Sequence, residues 1–366
     1  MSEPVLALRD VVVRAGGRTI LDATALAIAP GEVVALLGAN GAGKSTLLHV
    51  AALLRRPERG VVAIGGQEAT ARNAAMLRRS LSVVFQAPLL FDVSVLDNAA
   101  AGLRFQGLSR SEAQRRAQFW LQRFGVDHLA RRRSRTLSGG EASRVALARA
   151  FATDPAILLL DEPFAALDAP TRAELLPALR ERLRQSGAAA LLVTHDLDEA
   201  FAFGDEIALM QSGRALARGA GAALLARPPN REAAELIGIE TILAAQIEAR
   251  DAGRLLLRAL PDGPCLRAEV PPGTAPRTGE VVTVTLPAAA SRLLRRGEPA
   301  PVGWNRLDGR VGAATPLPAG TRLTIETPAP IVALAPWHPV AEVWVTGEEA
   351  AVTFPPAAAH VIPAER

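Results

Sequence analysis

Short apolar runs alternate with helical patterns through the first 235 residues of the chain. The runs at Glu32 to Leu37, Ala156 to Leu160 and Ala189 to Val193 have the length of buried strands and are too short for helices. Strands that alternate with helices are typical of a mostly parallel sheet. The pattern therefore predicts an α/β domain over residues 1–235.

Three helices are predicted between these runs. Ser45 to Leu54 has a helical pattern. A second helix begins at a capping box formed by Ser109 and Glu112 and ends at Gly125. A third helix ends at Gly187. The apolar positions of the last two helices predict two buried faces, made of Ala117, Trp120, Leu121 and Phe124 in one and of Leu175, Leu176, Leu179 and Leu183 in the other.

After about residue 236 the helical pattern gives way to short β-type runs between proline and glycine turns. The sequence from Thr278 resembles the sequence from Thr346, an offset of 68 residues. Farther upstream, residues 245–247 match residues 309–311 with an offset of 64. Since closing a short sheet removes its edges, we expect a small all-β domain over residues 236–366, formed by two tandem OB-like barrels.

The composition limits the class of protein. With 366 residues, 49% of them hydrophobic, the chain is large enough for two domains with substantial cores. No run approaches 18 apolar residues, and the N-terminus carries Glu3 but no apolar segment, so neither a membrane span nor an export signal is expected. Cys265 is the single cysteine, which excludes an internal disulfide and fits a reducing cytoplasm.

The charge pattern argues against a nucleic-acid partner. A net charge of +4 is too balanced for a dedicated nucleic-acid binder. One dense basic run occurs at Arg131, Arg132, Arg133 and Arg135. A solvated loop is the favoured interpretation of this run, and contact with lipid headgroups or a partner protein is the alternative.

One basic side chain differs from all the others, since 40 of the 41 are arginines and Lys44 is the only lysine. It lies in the run GANGAGKST, which fits the phosphate-binding pattern GxxxxGK(S/T). A chance match in a surface loop is the alternative. It is disfavoured because a strand before the run and a helix after it direct backbone N–H groups at an anion. The sequence therefore predicts a nucleotide site formed by Gly38, Ala39, Asn40, Gly41, Ala42, Gly43, Lys44, Ser45 and Thr46.

Further polar segments follow this run in a fixed order. They are Gln86 after a strand-like run, LSGGE (Leu137 to Glu141) at the start of a helix, Asp161 and Glu162 at the end of a strand with Asp168 just beyond, and His195 after another strand. Alone, the glutamine, the acidic pair and the histidine each have an ordinary structural explanation. LSGGE is more specific, because two glycines at a helix start allow close approach of the backbone to an anion.

Together with the glycine-rich run, these segments resemble the ATP-binding subunit of ATP-binding-cassette (ABC) transporters over about residues 5–235. The resemblance implies a P-loop NTPase cassette that hydrolyses ATP and contains a helical subdomain at about residues 87–150. In this family LSGGE contacts the ATP bound by a second copy. A head-to-tail dimer is therefore implied, in which the partner's ATP is approached by Ser138, Gly139, Gly140 and Asp168.

The same resemblance assigns roles at the chain's own ATP. The implied catalytic residues are Lys44 at the outer phosphates, Gln86 at the metal and the water, Glu162 as general base, and His195 at the γ-phosphate. A Mg²⁺ ion would be held by Ser45, Asp161 and Gln86, because this hard cation takes oxygen ligands.

One position departs from the family pattern. An aromatic residue near the start of the domain usually stacks on adenine, and Ala15 stands at that position here. Stacking of a base on an aromatic ring is worth about 1–3 kcal/mol in nucleic-acid systems. Unless Arg14 or a residue from elsewhere substitutes, we expect ATP to bind more weakly than is usual for the family.

The C-terminal half resembles the TOBE/Mop-like regulatory β-domain of prokaryotic importer ATPases, notably the molybdate and tungstate group, through Asn305 to Val311 and Ala358 to Ile362. The resemblance implies oxyanion import, permease subunits and, indirectly, a solute-binding protein as partners, and a peripheral position on the cytoplasmic face of the membrane. The anion-binding positions of that group are occupied by Val302, Gly303, Trp304, Pro355 and Ala357. We therefore expect the fold without anion sensing, since charge-assisted donors are replaced.

Other functions within the family stay open. Import of sulfate, ferric iron, a polyamine or a sugar would need the same cassette, since separate subunits select the solute. A soluble ABC ATPase of DNA repair or translation is less favoured, because Leu137 follows Lys44 by 93 positions without sustained heptads and LSGGE occurs once. A regulator with an inactive cassette is disfavoured by the presence of Glu162 and His195.

Overall fold

The computed structural model describes residues 3–251, 253–273, 276–317, 320–336 and 344–363. The chain divides into two compact units, Met1–Gly221 and Ala222–Arg366. This division lies before the boundary predicted at residues 235 and 236, because the short helical segment before residue 236 belongs to the second unit. No helix among the described residues is long and apolar enough to cross a membrane.

The first unit contains strands and helices in alternation. Its strands are β1 (Leu6–Ala15), β2 (Arg18–Ile28), β3 (Val33–Leu37), β4 (Arg59–Ile64), β5 (Gln67–Glu68), β6 (Leu81–Val84), β7 (Ile157–Asp161), β8 (Ala189–Thr194), β9 (Glu206–Gln211) and β10 (Arg214–Gly219). Its helices are α1 (Lys44–Ala51), α2 (Ala74–Leu77), α3 (Val95–Phe105), α4 (Arg110–Arg123), α5 (Gly139–Ala152), α6 (Ala169–Ser186) and α7 (Leu197–Phe203).

The central sheet has the strand order β10-β9-β3-β8-β7-β6, and all of its neighbours are parallel except β9 and β10. β3, β7 and β8 are buried along their whole length, as strands covered on both faces are. The carboxyl ends of β3, β6, β7 and β8 therefore meet at one edge. A second sheet, of order β2-β1-β4-β5, is antiparallel. The predicted mixed, mostly parallel α/β fold is confirmed.

The two faces of the central sheet belong to different hydrophobic cores. Leu158 and Leu160 point into a core shared with α3, α4, α5 and α6. Ile157 and Leu159, which alternate with them along β7, point into a core shared with α1 and the antiparallel sheet. The helices α3 and α4 lie within residues 87–150, the segment expected to form the helical subdomain, and α5 extends two residues beyond it.

Of the helices α1 and α6, the first departs from its prediction at the C-terminal end and the second ends where it was predicted to end. α1 ends at Ala51 and not at Leu54, because Leu53 has a φ of 57° that cannot continue a right-handed helix. α6 buries its four predicted leucines and ends, as predicted, at Gly187, whose φ of 67° is left-handed. Glycine is favoured there because it has no Cβ.

The predicted capping box of α4 is only half formed. Ser109 Oγ accepts a hydrogen bond from Glu112 N at 3.3 Å. The Glu112 carboxylate pairs with Arg115 and Arg116 and does not return to the Ser109 N–H. Arginines three and four positions along a helix compete successfully for the carboxylate because their charges attract it. The predicted buried face of α4 is confirmed, and the helix stops before Gly125.

The second unit begins with two short α-helices, and its described residues continue as β-strands with two single 3₁₀ turns, at Ala288–Ala290 and Pro356–Ala358. The helices are α8 (Gly221–Ala226) and α9 (Arg231–Leu236). The strands are β11 (Thr241–Asp251), β12 (Arg254–Ala259), β13 (Cys265–Glu269), β14 (Val281–Leu286), β15 (Arg292–Arg295), β16 (Asn305–Leu317), β17 (Gly320–Glu326), β18 (Ile331–Pro336), β19 (Glu349–Phe354) and β20 (His360–Ile362). The all-β character predicted for this half is confirmed.

The sequence repeat of the second unit corresponds to two five-stranded antiparallel sheets, of order β13-β12-β11-β14-β20 and β15-β19-β16-β17-β18. β11 and β16 begin 64 residues apart, whereas β14 and β19, like β15 and β20, begin 68 apart, so the drift in offset is structural. Each copy places its last strand in the sheet of the other copy. The expected tandem barrels are therefore interlocked, and the two sheets share one hydrophobic core.

Candidate nucleotide site

The glycine-rich loop connects β3 to α1 at the edge where the parallel strands end. Gly43 has a φ of 100° and stands immediately before α1. A Cβ at Gly43 would lie 2.8 Å from Ile20 O, and a Cβ at Gly38 would overlap Met210 O. Only glycine fits these two positions, so the loop can wrap closely with its N–H groups and the start of α1 directed at one point.

The Lys44 side chain crosses the inside of this loop and is only 5% exposed. Its ammonium donates hydrogen bonds to Gly38 O at 2.7 Å and Ala39 O at 3.1 Å. Burial lowers the pKa of Lys44, and the nearby carboxylates of Glu162 and Asp161 oppose that shift. The structure thus holds a compact cation at the position that the sequence predicts for contact with phosphates.

Asp161 is the last residue of β7 and is 4% exposed. Its Oδ1 accepts a hydrogen bond from Ser45 Oγ at 3.1 Å. Burial raises the pKa of Asp161, and the Ser45 hydroxyl opposes the shift. A carboxylate oxygen and a hydroxyl oxygen side by side are donors that suit Mg²⁺. The two residues therefore fit the predicted metal site chemically.

Glu162 lies between two of the other predicted catalytic residues. Its Oε2 accepts a hydrogen bond from Gln86 Nε2 at 3.0 Å, and its Oε1 lies 3.1 Å from His195 Nδ1. The backbone of Glu162 has a φ of 45°, and its N–H donates to Val193 O at 2.9 Å. A positive φ at a residue with a side chain is strained and is commonly found at functional sites. The ends of three strands thus bring together three residues that are far apart in sequence.

The predicted contacts to a partner's ATP form a separate group. Ser138 caps α5 in a complete capping box, in which its N–H donates to Glu141 Oε2 at 2.7 Å. That bond holds the pKa of Glu141 below its usual range. A Cβ at Gly140 would lie 3.0 Å from Ala166 O, so the start of α5 lies against the loop before α6. Among the described residues, no hydrogen bond joins Ser138 to the glycine-rich loop.

Asp168 has a structural partner within its own chain. Its Oδ1 accepts a hydrogen bond from Thr171 N at 2.8 Å and caps α6. This bond lowers the pKa of Asp168. The carboxylate of Asp168 therefore caps α6 in the structure, and a role of this residue at a partner's ATP stays a prediction.

Ala15 and Arg14 are exposed at the tip of the hairpin formed by β1 and β2. Gly16 and Gly17 form its two-residue turn, with φ values of 54° and 76°. Among the described residues, no aromatic ring contact involves this tip. The position at which the family pattern has an adenine-stacking aromatic residue is therefore occupied by an exposed alanine, Ala15, in the structure as well.

Sequence reasoning missed a polar network behind His195 that contains Arg172, Thr194, Asp196 and Glu199. Glu199 is 3% exposed and its pKa is raised by burial. In the sequence these residues resemble the solvated charges of any helix surface. The only available signal was the density of polar residues directly after His195.

These features define a P-loop nucleoside triphosphatase, because a lysine in a glycine-rich loop lies close to an acidic pair that ends a parallel strand. A sequence profile of the family described as ABC transporter matches residues 21–165. The Fe(3+) ions import ATP-binding protein FbpC of Streptomyces avermitilis is 37% identical over 279 residues, which cover 76% of this chain and 78% of that protein. The chain therefore belongs to the ATP-binding proteins of ABC transporters, and it is an ATPase.

Two further relatives carry other names. The spermidine/putrescine import ATP-binding protein PotA of Rubrobacter xylanophilus is 35% identical over 322 residues, covering 88% of this chain and 83% of that protein. The molybdate/tungstate import ATP-binding protein WtpC of Thermococcus kodakarensis is 38% identical over 221 residues, covering 60% and 66%.

Solved structures are similar to the cassette part. The dimeric structure of MJ0796, a bacterial ABC transporter cassette, has a TM-score of 0.56 and 30% identity, and the match covers 59% of this chain and 98% of that one. A dimeric post-hydrolysis state of the same cassette, bound to ADP and Pi, gives the same values.

Proposed function

We propose that this protein is the ATP-hydrolysing subunit of an ABC importer and that Glu162 is its general base. The observation that carries the proposal is the position of Glu162, held between Gln86 at 3.0 Å and His195 at 3.1 Å. A carboxylate oriented in this way can position a water molecule and accept its proton, and hydrolysis of a phosphoanhydride depends on that positioning.

The other residues of the site would bind and orient ATP. Lys44 and the N–H groups of residues 41–45 would neutralise and hold the outer phosphates. Ser45, Asp161 and Gln86 would hold a Mg²⁺ ion, which supplies positive charge beside the phosphates when bound. His195 would contact the γ-phosphate with the ring nitrogen that does not face Glu162.

A head-to-tail dimer would complete each site. The start of α5, with Ser138 and Gly139, is exposed and carries the partial positive charge of a helix N-terminus. A second copy would bring its own ATP to this position, with Gly140 and Asp168 close by. The likeness to dimeric cassettes of 30% identity supports the proposal.

Permease subunits would dock on an exposed apolar groove of the first unit. Leu89, Phe91 and Phe105 line it and are 62%, 51% and 80% exposed. Large apolar side chains are rarely left in contact with water in one patch unless a partner covers them. Such a contact would hold the protein at the cytoplasmic face of the membrane as a peripheral subunit.

The permease and a solute-binding protein would select the solute. Relatives named for ferric ion, molybdate/tungstate and polyamines are 37%, 38% and 35% identical to this chain. The oxyanion suggested by the sequence is therefore one candidate beside ferric ion and polyamines. A TOBE/Mop-like identity of the second unit is supported by its repeated, interlocked sheets.

Reconstitution with the membrane subunits that co-purify with the full chain tests this function. We expect a binding protein loaded with one of ferric ion, molybdate, tungstate or spermidine to raise ATP turnover severalfold. Phe105→Ser should abolish co-purification, and the matched control Phe119→Ser, an exposed phenylalanine of α4 outside the groove, should not. The proposal fails if no membrane protein binds and turnover is unaffected by membrane subunits.

A further inference from the structure

A partly buried ion network connects α6 to the segment that carries His195. Arg172 of α6 places Nη1 2.9 Å from Asp196 Oδ2 and 3.4 Å from Glu199 Oε1. Its side chain is 28% exposed, and that of Glu199 is 5% exposed. A buried carboxylate depends strongly on its cation, since removing one partner of such a pair leaves an uncompensated charge.

The same network fixes the chain on both sides of His195. Thr194 Oγ1 donates to Glu199 Oε2 at 2.6 Å and accepts a hydrogen bond from Asp196 N at 3.0 Å. Asp196 Oδ1 accepts from Glu199 N at 3.1 Å and caps α7. His195 therefore lies between two anchored neighbours, and its ring can hold a fixed place beside Glu162.

Arg172 also contacts the loop at residues 165–168, which precedes α6. Its Nη2 donates to Leu167 O at 3.4 Å. The same loop lies against the start of α5, since a Cβ at Gly140 would be 3.0 Å from Ala166 O. One guanidinium thus joins the His195 segment to the loop that packs on the LSGGE helix.

The planar, forked guanidinium group allows Arg172 to contact two segments at once. Two nitrogens of the planar fork are directed at different segments, whereas a lysine has one charged atom and can serve only one of them. The Arg172 Nε is buried and has no hydrogen-bond partner among the described residues. The side chain is therefore held in place by its two terminal nitrogens.

We propose that Arg172 is a positioning residue for ATP hydrolysis. It holds His195 against Glu162 through Asp196 and Glu199 and ties this contact to the loop at residues 165–168. The inference rests on the proposed roles of His195 and Glu162. Because a misplacement of about 1 Å can cost about a hundredfold in rate, loss of Arg172 should lower kcat more than it changes ATP binding.

Substitution of Arg172 in the full chain gives the first test. We expect Arg172→Met to lower kcat for ATP about tenfold or more while the KM changes by less than about twofold, and Arg172→Lys to give an intermediate loss. The matched control is Arg180→Met on the same helix. Arg180 is similarly exposed, at 35%, and pairs with Asp205 at 2.6 Å. It also donates to Phe203 O at the far end of α7, but no contact of the described residues joins it to Asp196 or Glu199. The kcat of Arg180→Met should stay close to that of the wild type.

A double-mutant cycle with His195→Ala separates positioning from general destabilisation. If Arg172 acts through His195, Arg172→Met should lower the single-turnover rate about tenfold in the wild type and less than about twofold in His195→Ala. Equal losses in both backgrounds would overturn the inference. A His195→Ala protein with near-normal turnover would instead refute the proposed site. Should thermal melting show that Arg172→Met is unfolded, Arg172→Lys takes its place in the cycle with the same criteria.

Discussion

Lys44→Arg tests whether the only lysine of the chain is needed as a lysine. Lys44 is 5% exposed, and its ammonium lies 2.7 Å and 3.1 Å from two loop carbonyls. A guanidinium is wider, and overpacking a tight site costs about 1–3 kcal/mol. Loss of one charge-assisted hydrogen bond adds about 1.5–3 kcal/mol. The overpacking cost lowers the stability of the fold, whereas the lost hydrogen bond to phosphate, at about 1.5–3 kcal/mol, corresponds to about ten- to a hundredfold in ATP turnover.

The assay for Lys44→Arg is phosphate release at saturating ATP, with equilibrium ATP binding measured in parallel. The control is the reverse exchange at an exposed position, Arg9→Lys, where the partner Glu68 is 2.7 Å away and both side chains are 60% exposed. Such surface pairs contribute about 0–1 kcal/mol, so this variant should behave as the wild type. Turnover of Lys44→Arg within threefold of the wild type would refute the reasoning, since a position that tolerates a guanidinium cannot require a compact cation.

Three further variants test other parts of the account. Ala15→Tyr should tighten ATP binding about tenfold by supplying a stacking surface worth about 1–3 kcal/mol, and an unchanged affinity by calorimetry would show that another group already contacts adenine. Ser138→Ala should lose an N-cap worth about 1 kcal/mol of stability and also most of the ATP turnover. Ser109→Ala removes the N-cap of α4 and should lose stability alone. If the two variants hydrolyse ATP at the same rate, Ser138 has no role at ATP. Titration of the full chain with molybdate and tungstate should give no heat, because Val302 is fully exposed and apolar where a donor is expected; micromolar binding would contradict this.

The parts of the fold that could be predicted from sequence are those set by local pattern. Buried strands such as β7 and β8 are continuous apolar runs, and Gly187 ends α6 because only a residue without Cβ adopts φ 67° without strain. Proximity of Gln86, Glu162 and His195 could also be predicted, because each of them follows a parallel strand that ends at the same edge of the sheet. The distances between their side chains could not be predicted from their sequence positions.

Features that depend on competition between contacts could not be predicted in this way. Ser109 and Glu112 have the sequence of a capping box, but Arg115 and Arg116 attract the carboxylate. The exchange of β15 and β20 between the two sheets of the second unit cannot be predicted from hydrophobic periodicity. Each of these strands would bury the same face in either sheet, so its pattern of apolar residues is the same in both cases. Arg172 was missed for a similar reason, since burial of a charge becomes visible only in three dimensions.

Glu162→Gln, studied with ATP in the full chain, tests the central claim most directly. Glutamine keeps the size of the side chain but cannot accept a proton from water, so ATP should still bind while hydrolysis is lost by at least about a hundredfold. ATP should then hold two copies together, which light scattering detects as a doubled mass. Glu235→Gln, at an exposed ion pair with Arg231, serves as the control and should hydrolyse ATP normally. Hydrolysis by Glu162→Gln within severalfold of the wild type would contradict the account.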